Sequence, residues 1–171
     1  MALAPLGIDK AIDTWIKLVS NQPGLEWAAW LAWFVSMSVV VAILCAFYYF
    51  YFVKKDLKFI SAGIISGIAV TAVVEIIKRI LLRPRPDASD LFSFPSRHTA
   101  LAFMLAWLAI QQNPKSKARY LLIPWAVAVA FSRMWLEQHY LTDVVAGAII
   151  GIVFAFGFYK YFYVVKRKRR N

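Results

Sequence analysis

A strongly apolar run from residue 26 to residue 53 exceeds the roughly 20 residues that an α-helix needs to cross a bilayer. Four more apolar stretches follow, at 59–82, 97–112, 120–136 and 142–165. In lipid every backbone N–H and C=O must be satisfied within the segment, so such runs fold as helices. The expected fold class is therefore all-α: a polytopic membrane helical bundle of five transmembrane helices over 26–165, in one domain spanning 1–171. Pro124 is placed in the first turn of the fourth helix, where proline is tolerated. A chain that is 61% hydrophobic and 16% aromatic is too apolar for an ordinary soluble domain. The lone cysteine, Cys45, rules out an internal disulfide or a cysteine metal cluster and is expected to be a small buried hydrophobe.

Before the first span, Ile8, Ile12, Trp15 and Val19 recur at helical spacing against Asp9, Lys10, Asp13 and Lys17, and Pro23-Gly24 breaks the pattern. Residues 8–21 are expected to form an amphipathic helix lying on the membrane surface. The segment lacks the basic start and continuous apolar stretch of a cleavable signal peptide, so it is expected to be retained.

The charge distribution orients the bundle. One side carries Lys54, Lys55, Lys58, Lys115, Lys117, Arg119, Lys160 and the tail Lys166, Arg167, Lys168, Arg169 and Arg170, against a single anion, Asp56. The other side is balanced, so the net charge of +11 resides on the first. The positive-inside bias makes that side cytoplasmic, with the basic 166–171 tail at anionic headgroups and the loops at 83–97 and 137–141 outside. Trp27, Trp30 and Trp33 near one end of the first span, and Tyr48, Tyr49 and Tyr51 near the other, match interfacial aromatic belts. A basic chain of this kind is explained by topology rather than by nucleic acid, which is not an expected partner.

On the outer side lie Lys78, Arg79, Arg83, Arg85 and Arg97, cations on the face that disfavours them. Lys78 precedes Arg85-Pro86 by seven residues. Pro95-Ser96-Arg97-His98 then opens the third span, where helix N-terminal amides bind anions. Ser132-Arg133 ends the fourth span, and His139 stands four residues before Asp143. If the fifth helix starts as early as His139, the i,i+4 spacing makes the two neighbours, with the carboxylate fixing one ring nitrogen and freeing the other. Snorkelling explains Lys78 or Arg79 alone about as well as function does. Yet both histidines of the chain, His98 and His139, fall on this face beside arginines.

These three blocks, spanning 78–143, resemble the signature of the type 2 phosphatidic acid phosphatase superfamily, with Arg97 standing where that pattern commonly has glycine. The family often has six spans, the first being replaced here by the surface helix. The resemblance implies a lipid phosphatase in which His139 is the nucleophile, Asp143 orients it and His98 serves as general acid and then base. Lys78, Arg85, Ser96, Arg97 and Arg133 would hold the phosphate, without metal or cofactor. Glu75, one turn before Lys78, either orients its ammonium group or makes a general helix-end ion pair; Glu75 and Arg83 are candidates to support the phosphate-binding residues from behind, and Arg83 and Arg97 add cations for a second phosphate.

The expected substrate is a polyprenyl diphosphate, with phosphatidate or phosphatidylglycerophosphate as the alternative. A small transporter or lipid-binding protein is the non-enzymatic alternative, opposed by spans that are uncharged except near their ends. Gly63 with Gly67, and Gly147 with Gly151, form small-xxx-small patterns that predict close packing within the bundle. A monomer or small homo-oligomer is expected. Asp87 and Asp90 are expected to be solvated loop acids rather than magnesium ligands, and Glu137, near His139, either tunes access to it or is solvated.

Overall fold

The computed structural model describes residues 3–112, 115, 117 and 119–161. These form α1 (Gly7–Ser20), α2 (Glu26–Tyr48, continued by a π turn at Tyr49–Val53), α3 (Leu57–Leu81), α4 (Arg97–Gln112), α5 (Arg119–Trp135) and α6 (Leu141–Tyr159), with no strand among the described residues. Three helices are long and apolar enough to cross a membrane, Glu26–Val53, Leu57–Leu81 and Leu141–Tyr159, and Tyr120–Trp135 is a shorter apolar helix. At 16 residues α4 is about 24 Å long, less than a hydrocarbon core. The basic tail beyond residue 165 lies outside the described residues.

The long helices turn a narrow stripe inward and large apolar residues outward. On α3 the buried residues Ala62, Ser66, Val70, Val74 and Lys78 follow one another every four positions, so the stripe that packs the helix also carries Lys78 into the interior. Asp143, Gly147, Gly151 and Ala155 do the same on α6. Meanwhile Ile64, Ile68, Ile76 and Ile80 of α3, and Ile149, Val153 and Phe156 of α6, are exposed. Outward apolar faces on every long helix suit hydrocarbon rather than water. Asp56 starts α3 by accepting a hydrogen bond from Phe59 N at 3.0 Å.

The short α4 is central. It is buried on two faces, through Ala100, Met104 and Leu108 on one and Ala102 and Ala106 on the other, and packs most extensively against α6 and α5. Glycine allows the first of these contacts. A Cβ at Gly147 would fall 2.5 Å from Ser96 O, and one at Gly151 would fall 2.1 Å from Ala100 O. Backbone cannot yield as a side chain can, so Gly151→Ala is expected to cost about 1–3 kcal/mol. Thermal unfolding in detergent checks this, with Gly63→Ala as the neutral control.

Several expectations need correction. Gly63 has nothing within 4 Å of an added Cβ and Gly67 only Met104 Cε at 3.8 Å, so that pair is not a site of close packing. Cys45 is exposed, because α2 sits at the periphery with only Ala32, Ser36 and Val39 buried. Pro124 lies in the second turn of α5, not the first, because the helix already begins at Arg119. The last helix starts at Leu141, so His139 stands in the 137–141 loop as expected and the condition for an i,i+4 helical pair with Asp143 is not met.

Candidate active site

The loops 83–96 and 136–140 join at one end of the bundle, held by Asp87 N donating to Glu137 O at 3.1 Å and Ser96 N donating to Asp143 O at 3.0 Å. That end collects the C-terminus of α3, the N-terminus of α4, the C-terminus of α5 and the N-terminus of α6, and hence all three sequence blocks. The stripes described above decide which side chains arrive there. His98 precedes Ala102 and Ala106 by one and two turns on the buried side of α4. Arg133 follows Ala126 and Val129 on α5.

His139 and Asp143 are 3% and 0% exposed at the side chain, with Nδ1 3.6 Å from Asp143 Oδ2. That separation is beyond hydrogen-bond length, and Nδ1 has no hydrogen-bond partner. The pair meets without a shared helix. Tyr140 is the N-cap and extended, and Asp143 at the third helical position reaches back to accept from Tyr140 N at 2.8 Å, which turns its carboxylate toward the loop. Ser93 Oγ donates a short hydrogen bond to the same Oδ2. Burial, opposed by Asp143 and reinforced by Arg133 and Lys78, pushes the His139 imidazole down to about 4, so it is neutral at pH 7.

Around this pair stand cations with few anions to meet them. Lys78 is 6% exposed and has no hydrogen-bond or ion-pair partner among the described residues. Arg133, also 6% exposed, bonds only neutral groups: it donates to Ser36 Oγ at 2.6 Å and makes a short contact to Gln138 Oε1, and its Nε has no partner. His98 lies within electrostatic reach of Arg133, Arg97, Lys78 and His139. Arg85 Nε is 2.8 Å from Asp90 Oδ1, but its N–H is misdirected for a hydrogen bond and remains unsatisfied. Ser96 is fully buried and accepts from Thr99 Oγ1 at 3.0 Å. Isolated buried charge is expensive, and a group of such cations is a receptor for an anion.

Four assignments are refined. Arg83 is not available to a second phosphate: it is 2% exposed and its guanidinium bridges Asp9 and Asp143. Glu75 pairs with Arg97 at 3.1 Å near the surface rather than hydrogen bonding to Lys78, since Arg97 projects outward from the first turn of α4. Asp90 and Glu137 are not merely solvated, as they face Arg85 and, at 3.8 Å, Lys17. Sequence reasoning did not single out Ser36, Ser93, Gln138, Thr142 or Asp9 as site residues. Ser93, Gln138 and Thr142, within the 78–143 blocks, carried a positional hint, whereas Ser36 and Asp9 carried none. Asp9 lies 74 residues from the arginine it binds.

Among the described residues no three His, Cys, Asp or Glu side chains converge as a metal set. The constellation of neutral imidazole, carboxylate and uncompensated cations suits phosphoryl transfer.

Comparison with known proteins agrees. Residues 57–167 match the family model of the PAP2 superfamily. The chain is 28% identical over 142 residues to undecaprenyl-diphosphatase BcrC of Bacillus subtilis, covering 75% of this chain and 72% of that protein. It is 32% identical over 161 residues to the decaprenylphosphoryl-5-phosphoribose phosphatase of Mycolicibacterium smegmatis, covering 86% and 84%. The crystal structure of Aquifex aeolicus LpxE superposes with a TM-score of 0.74 at 26% identity, over 94% of this chain and all of that one. The match covers well over half of the chain and contains Lys78, Arg85, Ser96, His98, Arg133, His139 and Asp143, so the chain belongs to the PAP2 superfamily and is a membrane phosphoric ester hydrolase of the type 2 phosphatidic acid phosphatase kind.

Proposed function

We propose that the protein removes the terminal phosphate of a polyprenyl diphosphate at the extracytoplasmic face of the cell membrane, through a phosphohistidine on His139. The observation that carries this is the pairing of a neutral, buried His139 with Lys78 and Arg133, buried cations that lack anionic partners. A phosphate would supply the missing negative charge and accept from the Arg85 and Arg133 Nε–H groups.

Nδ1 faces Asp143, which leaves Nε2 to attack phosphorus as the bond to the bridging oxygen breaks. The negative charge of the bound phosphate offsets Arg133, Arg97 and Lys78 and so favours protonated His98, which donates its proton to that leaving oxygen. Deprotonated His98 then takes a proton from water as the water oxygen attacks the phosphohistidine, the P–N bond breaks and inorganic phosphate leaves. Lys78, Arg85, Ser96 and Arg133 hold the equatorial oxygens, and this charge stabilisation supplies most of the acceleration. Arg97, held by Glu75 at the rim, is the remaining candidate cation for the second phosphate. No metal takes part in this scheme.

The charge asymmetry of the sequence supports the outward orientation of the site, with α2 to α6 as the membrane bundle and the C-terminus cytoplasmic. Exposed Ile8, Ala11, Trp15 and Leu18 form a stripe along α1 that supports its lying in the interface. An isoprenoid substrate is supported by the names of two relatives, an undecaprenyl-diphosphatase and a decaprenylphosphoryl-phosphoribose phosphatase. The test is phosphate release by the purified protein from polyprenyl diphosphate, phosphatidate and phosphatidylglycerophosphate. The diphosphate is expected to lead in kcat/KM by roughly tenfold, the worth of one added charge-assisted hydrogen bond. Faster turnover of either monoester would overturn the substrate assignment and leave the chemistry standing.

A further inference from the structure

Asp9 belongs to α1, ahead of the residues that match the family model, and its side chain is fully buried at the far end of the chain from the nucleophile. Four hydrogen bonds converge on it. Leu6 N donates to Oδ2 at 3.0 Å, Thr142 N to Oδ1 at 3.0 Å, Thr142 Oγ1 to Oδ2 at 2.8 Å, and Arg83 to Oδ2 at 2.5 Å. The other terminal nitrogen of Arg83 binds Asp143 and, at 2.6 Å, Thr142 Oγ1. The guanidinium also lies 4.8 Å from the centre of the Tyr140 ring. Asp9 thus touches both the arginine beside Asp143 and the first turn of the helix that carries Asp143.

The same face of α1 is tied down elsewhere. Lys17 Nζ donates to Pro86 O at 3.0 Å and pairs with Asp13 at 3.0 Å, and Ile16 is 2% exposed. The helix therefore presents its charged face to the catalytic loops and its apolar stripe outward, which is the reverse of packing on a hydrophobic core.

We infer that Asp9 is a positioning residue for the phosphoryl transfer, which sets the charge available to His139 by occupying Arg83 and fixing the N-terminus of α6. This rests on the phosphohistidine scheme proposed above. Two buried carboxylates share one guanidinium, so the cluster carries one net negative charge. Arg83 binds Asp143 through Oδ1, which leaves Oδ2 facing the ring that becomes cationic when phosphorylated. Without the Asp9 charge, Arg83 and Asp143 neutralise each other and the net negative charge is gone.

The test is rapid-quench labelling of the full chain in nanodiscs with polyprenyl diphosphate labelled at its terminal phosphorus, together with steady-state kinetics. Asp9→Asn is expected to slow labelling of His139 by roughly 10- to 100-fold, to lower kcat in proportion and to change KM less than about twofold. Asp9→Glu keeps the charge and should recover most of the rate. Ile16→Ala loosens the same helix without altering charge; it should lower the melting temperature and label within about twofold of the wild-type rate. Wild-type labelling in Asp9→Asn overturns the inference alone, as does equal loss in Ile16→Ala, which would reduce α1 to a strut. Loss in Asp9→Glu as deep as in Asp9→Asn overturns it too. A wild-type chain that turns over substrate without labelling His139 removes the phosphohistidine scheme, and the inference with it.

Discussion

Replacing His139 by alanine is expected to reduce phosphate release by roughly ten-thousand-fold or more, with no compensating change in KM, because the covalent route has no other nucleophile. His139 is 3% exposed and no hydrogen bond to it is lost in the variant, so the fold should survive and the loss should be chemical. His98→Ala separates the two half-reactions. With a lipid phosphate its turnover should fall by about 10²- to 10⁴-fold, the usual worth of a general acid. With p-nitrophenyl phosphate, whose leaving group needs no proton, phosphorylation should be spared and phosphoenzyme should accumulate, since water then lacks its base. Alkaline quench, which preserves the acid-labile P–N bond, followed by mapping of the labelled residue distinguishes the variants: none on His139→Ala, excess on His98→Ala. Because the His139 imidazole is already neutral at pH 7 and is held down to about 4, labelling of the wild-type chain should persist through pH 5 and fall only as the pH nears 4. Near-normal turnover by His139→Ala would eliminate the scheme.

The site was legible in the sequence where short-range spacing and helix periodicity determined it. Lys78, Arg85, Ser96, His98, Arg133, His139 and Asp143 all fall at helix ends on one side of a bundle whose spans could be read from hydropathy. A residue one turn beyond a buried stripe inherits that stripe's direction, as Lys78 does from Val74. What was not legible required distance in sequence to be converted into distance in space. Nothing local to Arg83 states that Asp9 and Asp143 lie on either side of it, and beside Arg85 it reads as one more phosphate cation. Nor does local spacing explain the His139 contact. The i,i+4 spacing pairs the two only if the helix begins at His139, whereas it starts two residues later and the N-terminal carboxylate reaches back across an extended Tyr140. The two glycine pairs make the same point: identical four-residue spacing at 63 and 67 and at 147 and 151 produces a close helix crossing only in the second, where α4 backbone lies opposite.

Arg83→Met is expected to be the most destabilising single change outside the backbone contacts, at about 3–5 kcal/mol, because it leaves Asp9 and Asp143 buried together without a counterion. Both carboxylates are fully buried, and two like charges at such a site cannot both stay ionised at neutral pH. One of them must take a proton or draw in water, and either response disturbs the start of α6. Arg83→Lys should recover only part of the loss, since a single ammonium cannot span two carboxylates as the guanidinium fork does. Removing the second charge as well gives the sharper result. In Arg83→Met with Asp9→Asn the cluster returns to one buried anion, so the double variant should melt above the level that the two single losses would give if added. A coupling of roughly 0.5–3 kcal/mol is expected from thermal unfolding in detergent. Simple additivity would mean that Asp9 and Arg83 act independently, and the charge balance at Asp143 would then need another source.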